Sequence, residues 1–275
     1  MLNKKRFLLW RRATQLMVLF AFVAGPWLGI SIAKGTLASS VWFDAIPLTD
    51  LFVLLQSLAT GHPVALGAIV GALLIGLFYA MIGGRVFCGW VCPINMVTDG
   101  AQGLRRLLGW RKASVLRLDK RLRYVIMIAC LAGSLISGVI IWELINPINL
   151  VMRTLVFGLW LGGFIAISSI FLFDFFLLSN GWCGHICPVG AFYGLVGKPG
   201  VVHVAAVRRL ACNNCGDCFT YCPEPQVISP ALRGTHGHGI HIKDVDCLRC
   251  GRCIDVCEQQ VFEFSINGPG AFSVK

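Results

Sequence analysis

Cys212-x2-Cys215-x2-Cys218-x3-Cys222-Pro223 is followed by Cys247-x2-Cys250-x2-Cys253-x3-Cys257, so one spacing of four cysteines occurs twice near the C-terminus. Such a segment has few ways to fold. Three thiolates within seven residues wrap one face of a four-iron cube, while the fourth, displaced by three residues, points away and reaches a second cube. The duplication predicts two [4Fe-4S] clusters, one held by Cys212, Cys215, Cys218 and Cys257, the other by Cys247, Cys250, Cys253 and Cys222. A zinc site is disfavoured, because its ligands come as paired cysteines or histidines rather than as two interlocked runs of four. Pro223 follows the first run, whereas Glu258 stands after Cys257. Proline would fix φ and remove an N–H near the cluster, so its replacement alters turn stiffness and hydrogen bonding without removing a ligand.

The rest of the chain is apolar. Hydrophobic residues make up 56% of the 275 and charged residues 13%, against about 25% charged in a soluble globule. Four stretches, residues 13–33, 64–83, 124–142 and 154–178, approach the roughly 20 helical residues needed to cross about 30 Å of hydrocarbon. The net charge of +11 raises nucleic acid as a partner until the charges are mapped. Of 24 Lys and Arg, five lie in residues 1–12, nine in 84–123 and eight from 179 onward, against Lys34 and Arg153 alone in the other connections. These charges mark membrane sidedness, not a duplex-binding face, and they place both termini and the C-terminal domain in the cytoplasm of a multi-pass inner-membrane protein. Residues 1–200 are thus expected to form a four-helix membrane domain, and residues 201–275 a small α+β ferredoxin-like domain. Residues 105–123 alternate basic and apolar side chains and are expected to lie along the inner membrane surface. The first span carries no convincing cleavage site, and its flanking basic residues read as the anchor of a retained helix.

A shorter repeat lies inside the apolar region. Cys88-Gly89-Trp90-Val91-Cys92-Pro93 recurs as Cys183-Gly184-His185-Ile186-Cys187-Pro188, each at the inner end of an even-numbered span. The common sidedness makes this a parallel two-fold duplication that brings four thiols toward one another. Cys88, Cys92, Cys183 and Cys187 then stand as ligands of a further iron-sulfur or soft-metal centre, as redox-active thiols, or as buried structural cysteines. Cys130, alone in the third stretch, reads as a packed core thiol.

Asp174 lies among phenylalanines near the inner end of the fourth stretch. A carboxylate there either changes protonation, as suits the oxidation of a quinol, or pairs with a basic residue at the interface. Glu143, Asp44, Asp50 and His62 read mainly as caps and solubilising groups of the outer loops, and residues 48–58 as a surface helix or lid too short to span. Residues 233–241, rich in Gly and His, read as a loop and not a metal site. Walker, dinucleotide, zincin, serine-elbow and haem-attachment patterns are absent.

Four apolar stretches, the paired C-x3-C-P motifs and the two C-terminal cysteine runs together resemble the NapH/MauN family of membrane ferredoxin-type proteins over nearly the whole chain. The resemblance implies a non-haem quinol dehydrogenase subunit drawing on the membrane quinol pool. It implies as partners a NapG-type iron-sulfur protein and a periplasmic electron acceptor chain ending in nitrate reductase. Related types carry a large outer flavin domain or a further C-terminal domain, for which the loops and tail here leave no room. The methylamine-utilisation branch shares the architecture and remains an alternative. So does an assembly or maturation protein whose clusters reduce a metal or thiol client.

Overall fold

The computed structural model describes residues 5–30, 32–110, 116, 118–158, 160–234, 239–266 and 273–274. It divides into two compact units that do not follow chain order. One comprises Gln15–Leu77 and Cys92–Phe192; the other joins Met1–Thr14, Phe78–Val91 and Tyr193–Lys275. The unit that holds residues 201–275 therefore also takes in two distant segments and residues 193–200.

The first unit is mainly helical. Among the described residues, Arg6–Leu28 is the one helix long and apolar enough to cross a membrane. The apolar helices Leu66–Ile82 (17 residues) and Leu122–Ser137 (16 residues) are shorter than the sequence suggests, reaching about 25 Å at 1.5 Å per residue. The stretch expected at 154–178 is not continuous. Asn146 accepts a hydrogen bond from the N–H of Ile148, and Pro147 begins a helix that runs to Phe157 and stops at Gly158, whose φ is 72°. A second helix, Trp160–Leu172, then packs back on the first, with Gly163 set closely against the Thr154 side chain. Capping asparagine, N1 proline and left-handed glycine together outweigh the apolar run that pointed to one span.

The connection after the first helix is more ordered than a loop with a short helix. Ala33–Gly35, Ser39–Trp42 and Ile46–Thr49 form an antiparallel sheet. Trp42 packs edge-on against Phe22 at 5.7 Å, beside a core of Ala21, Ala33, Met152 and Val156. Asp50 then caps the helix Leu51–Ala59, its Oδ1 accepting from the N–H groups of Phe52 (2.7 Å) and Val53 (3.1 Å). From that helix the fully buried Gln56 turns its Oε1 to the Ser134 hydroxyl (3.2 Å) and the Trp142 N–H (3.1 Å). A buried amide so satisfied ties three helices into one arrangement.

The second unit is α+β. Val202–Ala205, Glu263–Ile266 and Ser273–Val274 make an antiparallel sheet, with Val202 opposite Ile266 and Ala205 opposite Glu263. Val204, Ile228, Leu232, Ile242, Val261 and Phe262 form its core together with Cys218 and Cys247. The segment Phe78–Val91 joins through backbone and glycine contacts. Val201 N–H donates to the Met81 carbonyl at 2.8 Å, and Gly84 and Gly197 approach so closely that a Cβ on either would overlap backbone. The N-terminal segment joins through Asp255, whose Oδ1 and Oδ2 accept from Phe7 N–H (3.1 Å) and Leu8 N–H (2.9 Å). A carboxylate from residue 255 thereby caps the helix that begins at Arg6.

Candidate iron-sulfur site

Both cysteine runs adopt one backbone. The residue before the second cysteine is left-handed in each, Asn214 at φ 57° and Arg249 at φ 50°, and so is the glycine after it, Gly216 at 83° and Gly251 at 71°. Each glycine opens a five-residue helix, Asp217–Tyr221 or Arg252–Val256, that carries the third cysteine and releases the fourth into extended backbone. Consecutive left-handed turns curl the first three thiols around a common point and send the fourth away.

Cys212, Cys215, Cys218 and Cys257 line one pocket with Val261 and Phe262. Burial pushes the Cys218 thiol up to about 11, and the charges of Cys257, Cys212 and Cys215 add to that rise. Burial likewise raises Cys222, with Cys250 and Cys247 adding, and Cys253, with Cys250, Cys247, Cys222 and Cys218 adding. Cys247 is pushed up to about 11 by burial, against the lowering charges of Arg249 and Arg85. Cysteines crowded this way stay protonated on their own and give up their protons to a cation bound among them. Among the described residues no three His, Cys, Asp or Glu side chains close to the scale of a single ion. The donor set of two interlocked runs of four cysteines is that of paired four-iron cubes rather than of zinc.

The two runs differ in exposure. Asn213, Asn214 and Cys215 are exposed, whereas Cys247 to Gly251 are buried. The cover of the second run is the helix Val86–Trp90, which carries Cys88. The Trp90 indole N–H donates to the Arg249 carbonyl at 3.0 Å, and Gly89 lies where a Cβ would stand 3.4 Å from Cys250 Cβ. Beside it, Arg85 is 1% exposed and donates to Glu224 Oε1 at 2.9 Å and to the Asp246 carbonyl at 2.8 Å. Two carboxylates hold its guanidinium charged, and pull its pKa up against burial. This ion pair is not legible from the sequence, since its partners are 139 residues apart.

Cys88 falls in this unit, and Cys92, Cys183 and Cys187 in the other. Cys88 sits on an α-helical turn, whereas its counterpart Cys183 sits in a π-helical turn, Trp182–Ile186. Gly184 there presents its carbonyl to the buried Arg123 at 3.1 Å. Asp174 lies in the π-helical turn Phe173–Leu177 and is 0% exposed. Its Oδ1 accepts from the Trp182 N–H at 2.9 Å, while Arg105 donates to its backbone carbonyl at 3.1 Å. Single-turn π segments concentrate at functional sites. Arg105 and Arg123, expected on a membrane-surface segment, are 7% and 1% exposed; each found a carbonyl inside the fold. Much of the intervening segment, residues 111–115 and 117, lies outside the described residues, as do 235–238 of the Gly/His loop.

The polar groups expected in the loops have structural employment. Asp44 pairs with Lys34 at 2.6 Å, Asp50 caps a helix, His62 meets Thr60, and Glu143 accepts from Asn146 and Asn149. Cys130 is a buried core thiol.

Two four-cysteine sets on a repeated backbone within a small α+β unit define a ferredoxin-type iron-sulfur protein. The sequence agrees, matching the description "4Fe-4S dicluster domain" over residues 211–261 and "4Fe-4S binding domain" over 64–111 and again over 156–208. The ferredoxin-type protein NapH of Haemophilus influenzae is 45% identical over 94% of this chain and 90% of its own length. NapH of Escherichia coli is 46% identical, and the methylamine utilization ferredoxin-type protein MauN of Methylorubrum extorquens 48%, each over 94% of this chain and 88% of its own length. The chain belongs to the NapH/MauN family of ferredoxin-type proteins. No solved structure matches it.

Proposed function

We propose that this protein is the membrane subunit of a quinol dehydrogenase, taking electrons from membrane quinol and passing them through two [4Fe-4S] clusters to a NapG-type iron-sulfur partner and a periplasmic reductase, nitrate reductase in the first instance. The carrying observation is that the buried cysteine run lies against the Val86–Trp90 turn, close in sequence to the apolar helix Leu66–Ile82. Cys212, Cys215, Cys218 and Cys257 would hold one cluster, and Cys222, Cys247, Cys250 and Cys253 the other. Bound there, the clusters supply one-electron carriers at low potential.

Four spans in a parallel repeat, with both termini and the ferredoxin unit cytoplasmic, are supported by the charge division of 22 to 2 and by exposed apolar side chains such as Leu66, Leu73, Leu161 and Phe164. One family description matching both 64–111 and 156–208 supports the repeat, each match holding one C-G-x-x-C-P. The same description supports a further centre at Cys88, Cys92, Cys183 and Cys187, with redox thiols as the other use of that set. Asp174 is the residue assigned to accept the quinol proton. Its Oδ1 is engaged by Trp182, and its buried Oδ2 has no hydrogen-bond partner among the described residues.

The test is anaerobic purification in detergent, iron and sulfide per chain, and EPR before and after a quinol analogue. About eight irons and rapid reduction are expected from two cubes; irons beyond eight that vanish in Cys183→Ser reveal the further centre. Clusters that quinol leaves oxidised would refute the dehydrogenase. Because a MauN relative is as similar as the NapH relatives, a deletion strain is grown on nitrate and on methylamine. Loss of methylamine oxidation alone assigns the acceptor to the second pathway, and an unmetallated client enzyme with normal electron flow assigns the protein to maturation.

A further inference from the structure

The burial of the second cysteine run leaves one charge unexplained. Arg249 lies between Cys247 and Cys250, is 5% exposed, and holds φ at 50°, a left-handed conformation that a residue with a Cβ rarely adopts. Its guanidinium lies over Gly83, where a Cβ would overlap it, so the fold reserves space for this side chain. Among the described residues its Nε has no hydrogen-bond partner, and the one acidic group set against it is the Cys247 thiol, which becomes an anion on ligating metal. The other buried guanidinium nearby, Arg85, is already matched by Glu224 and Asp246. His203 also faces Arg249, and burial with that positive charge keeps the imidazole neutral. A buried cation without a carboxylate is costly unless something anionic stands against it. The equivalent place in the exposed run is taken by the uncharged Asn214.

We propose that Arg249 is a potential-setting residue, its buried guanidinium facing the anionic second cluster and stabilising that cluster's reduced form relative to the first. The inference rests on the two-cluster reading above. A cube ligated by four thiolates is anionic and gains a further negative charge on reduction, so burial alone drives its potential down. A fixed positive charge in the same low-dielectric pocket opposes that. The electron therefore rests on the cluster beneath the Val86–Trp90 turn, and leaves through the exposed run at Asn213–Cys215.

The experiment is an EPR-monitored redox titration of the full, detergent-purified chain and of Arg249→Gln and Arg249→Lys, with signals assigned through Cys215→Ser and Cys250→Ser. In Arg249→Gln the second cluster's potential falls and the first's holds, shifting the electron's distribution between them at least tenfold, about 59 mV for a one-electron couple. Arg249→Lys keeps most of the original spacing. If Arg249→Gln loses the second cluster outright, Arg249→Lys must retain it at near its original potential, which a role in packing alone does not predict. Both clusters retained with unchanged or equally shifted potentials in Arg249→Gln overturns the proposal, as does equal loss of the second cluster in both variants. A parent chain that does not bind two clusters refutes the two-cluster reading instead.

Discussion

Arg85→Met leaves the carboxylate of Glu224, itself 1% exposed, buried without its guanidinium. Breaking a buried pair by removing one partner costs about 3–5 kcal/mol, chiefly through the charge left behind. Here the lower end applies, because Gln226 still donates to Glu224 Oε2 at 2.9 Å. Since about 1.4 kcal/mol is tenfold in an equilibrium, a loss of about 3 kcal/mol is roughly two orders of magnitude. Glu224→Leu, which takes from Arg85 its fully buried carboxylate partner, is expected to cost a similar amount. The double variant Arg85→Met/Glu224→Leu, apolar on both sides, returns to within about 1 kcal/mol of the parent. The assay is denaturant unfolding of the cluster-loaded chain in detergent, followed by the visible absorption of the clusters, with the four proteins forming a double-mutant cycle. A coupling below about 0.5 kcal/mol would mean that Phe78–Val91 is not held to the C-terminal segment by this pair, and would refute the reasoning.

Asp255→Ala removes the acceptor of two N–H groups at the start of Arg6–Leu28, and a loss of about 1–2 kcal/mol is expected, read as faster protease cleavage or hydrogen exchange near Phe7. Gly251→Ala and Gly216→Ala force the same left-handed conformation on alanine, at about 1 kcal/mol each. Only Gly251 faces the Phe7 ring, so its variant should be the more damaging, and equal midpoints would contradict that packing. Burial, aided by the charge of Arg249, lowers His203 below its ordinary value of about 6.5. Its contribution to stability is therefore complete above that value and lost as pH falls through the lower folded one, so His203→Gln should flatten the acid limb of a stability–pH curve.

Local chemistry was legible in the sequence where ligands sit a few residues apart. The pairing of Cys257 with the first three cysteines, and of Cys222 with the second run, is read from a three-residue offset, and Cys257 lines one pocket with Cys212, Cys215 and Cys218. The C-terminal sheet begins at Val202, but the compact unit around it also takes in Phe78–Val91 and the N-terminal segment. What could not be read depends on contacts across long separations. Counting every arginine as a surface marker gives sidedness, yet Arg85, Arg105 and Arg123 are buried, because each is matched by a carbonyl or a carboxylate contributed from elsewhere. The sheet at 33–49 escaped notice because its strands are only three or four residues long. The broken fourth stretch escaped because hydropathy averages over Gly158.

The capping of the first helix by Asp255 has a consequence for biogenesis. Phe7 and Leu8 are synthesised well ahead of their acceptor, which follows 248 and 247 residues later, in the run that also carries Cys253 and Cys257. During synthesis the start of the first helix therefore stays open until the C-terminal segment folds back upon it. A chain whose C-terminal segment fails to fold would keep that helix start exposed to proteases.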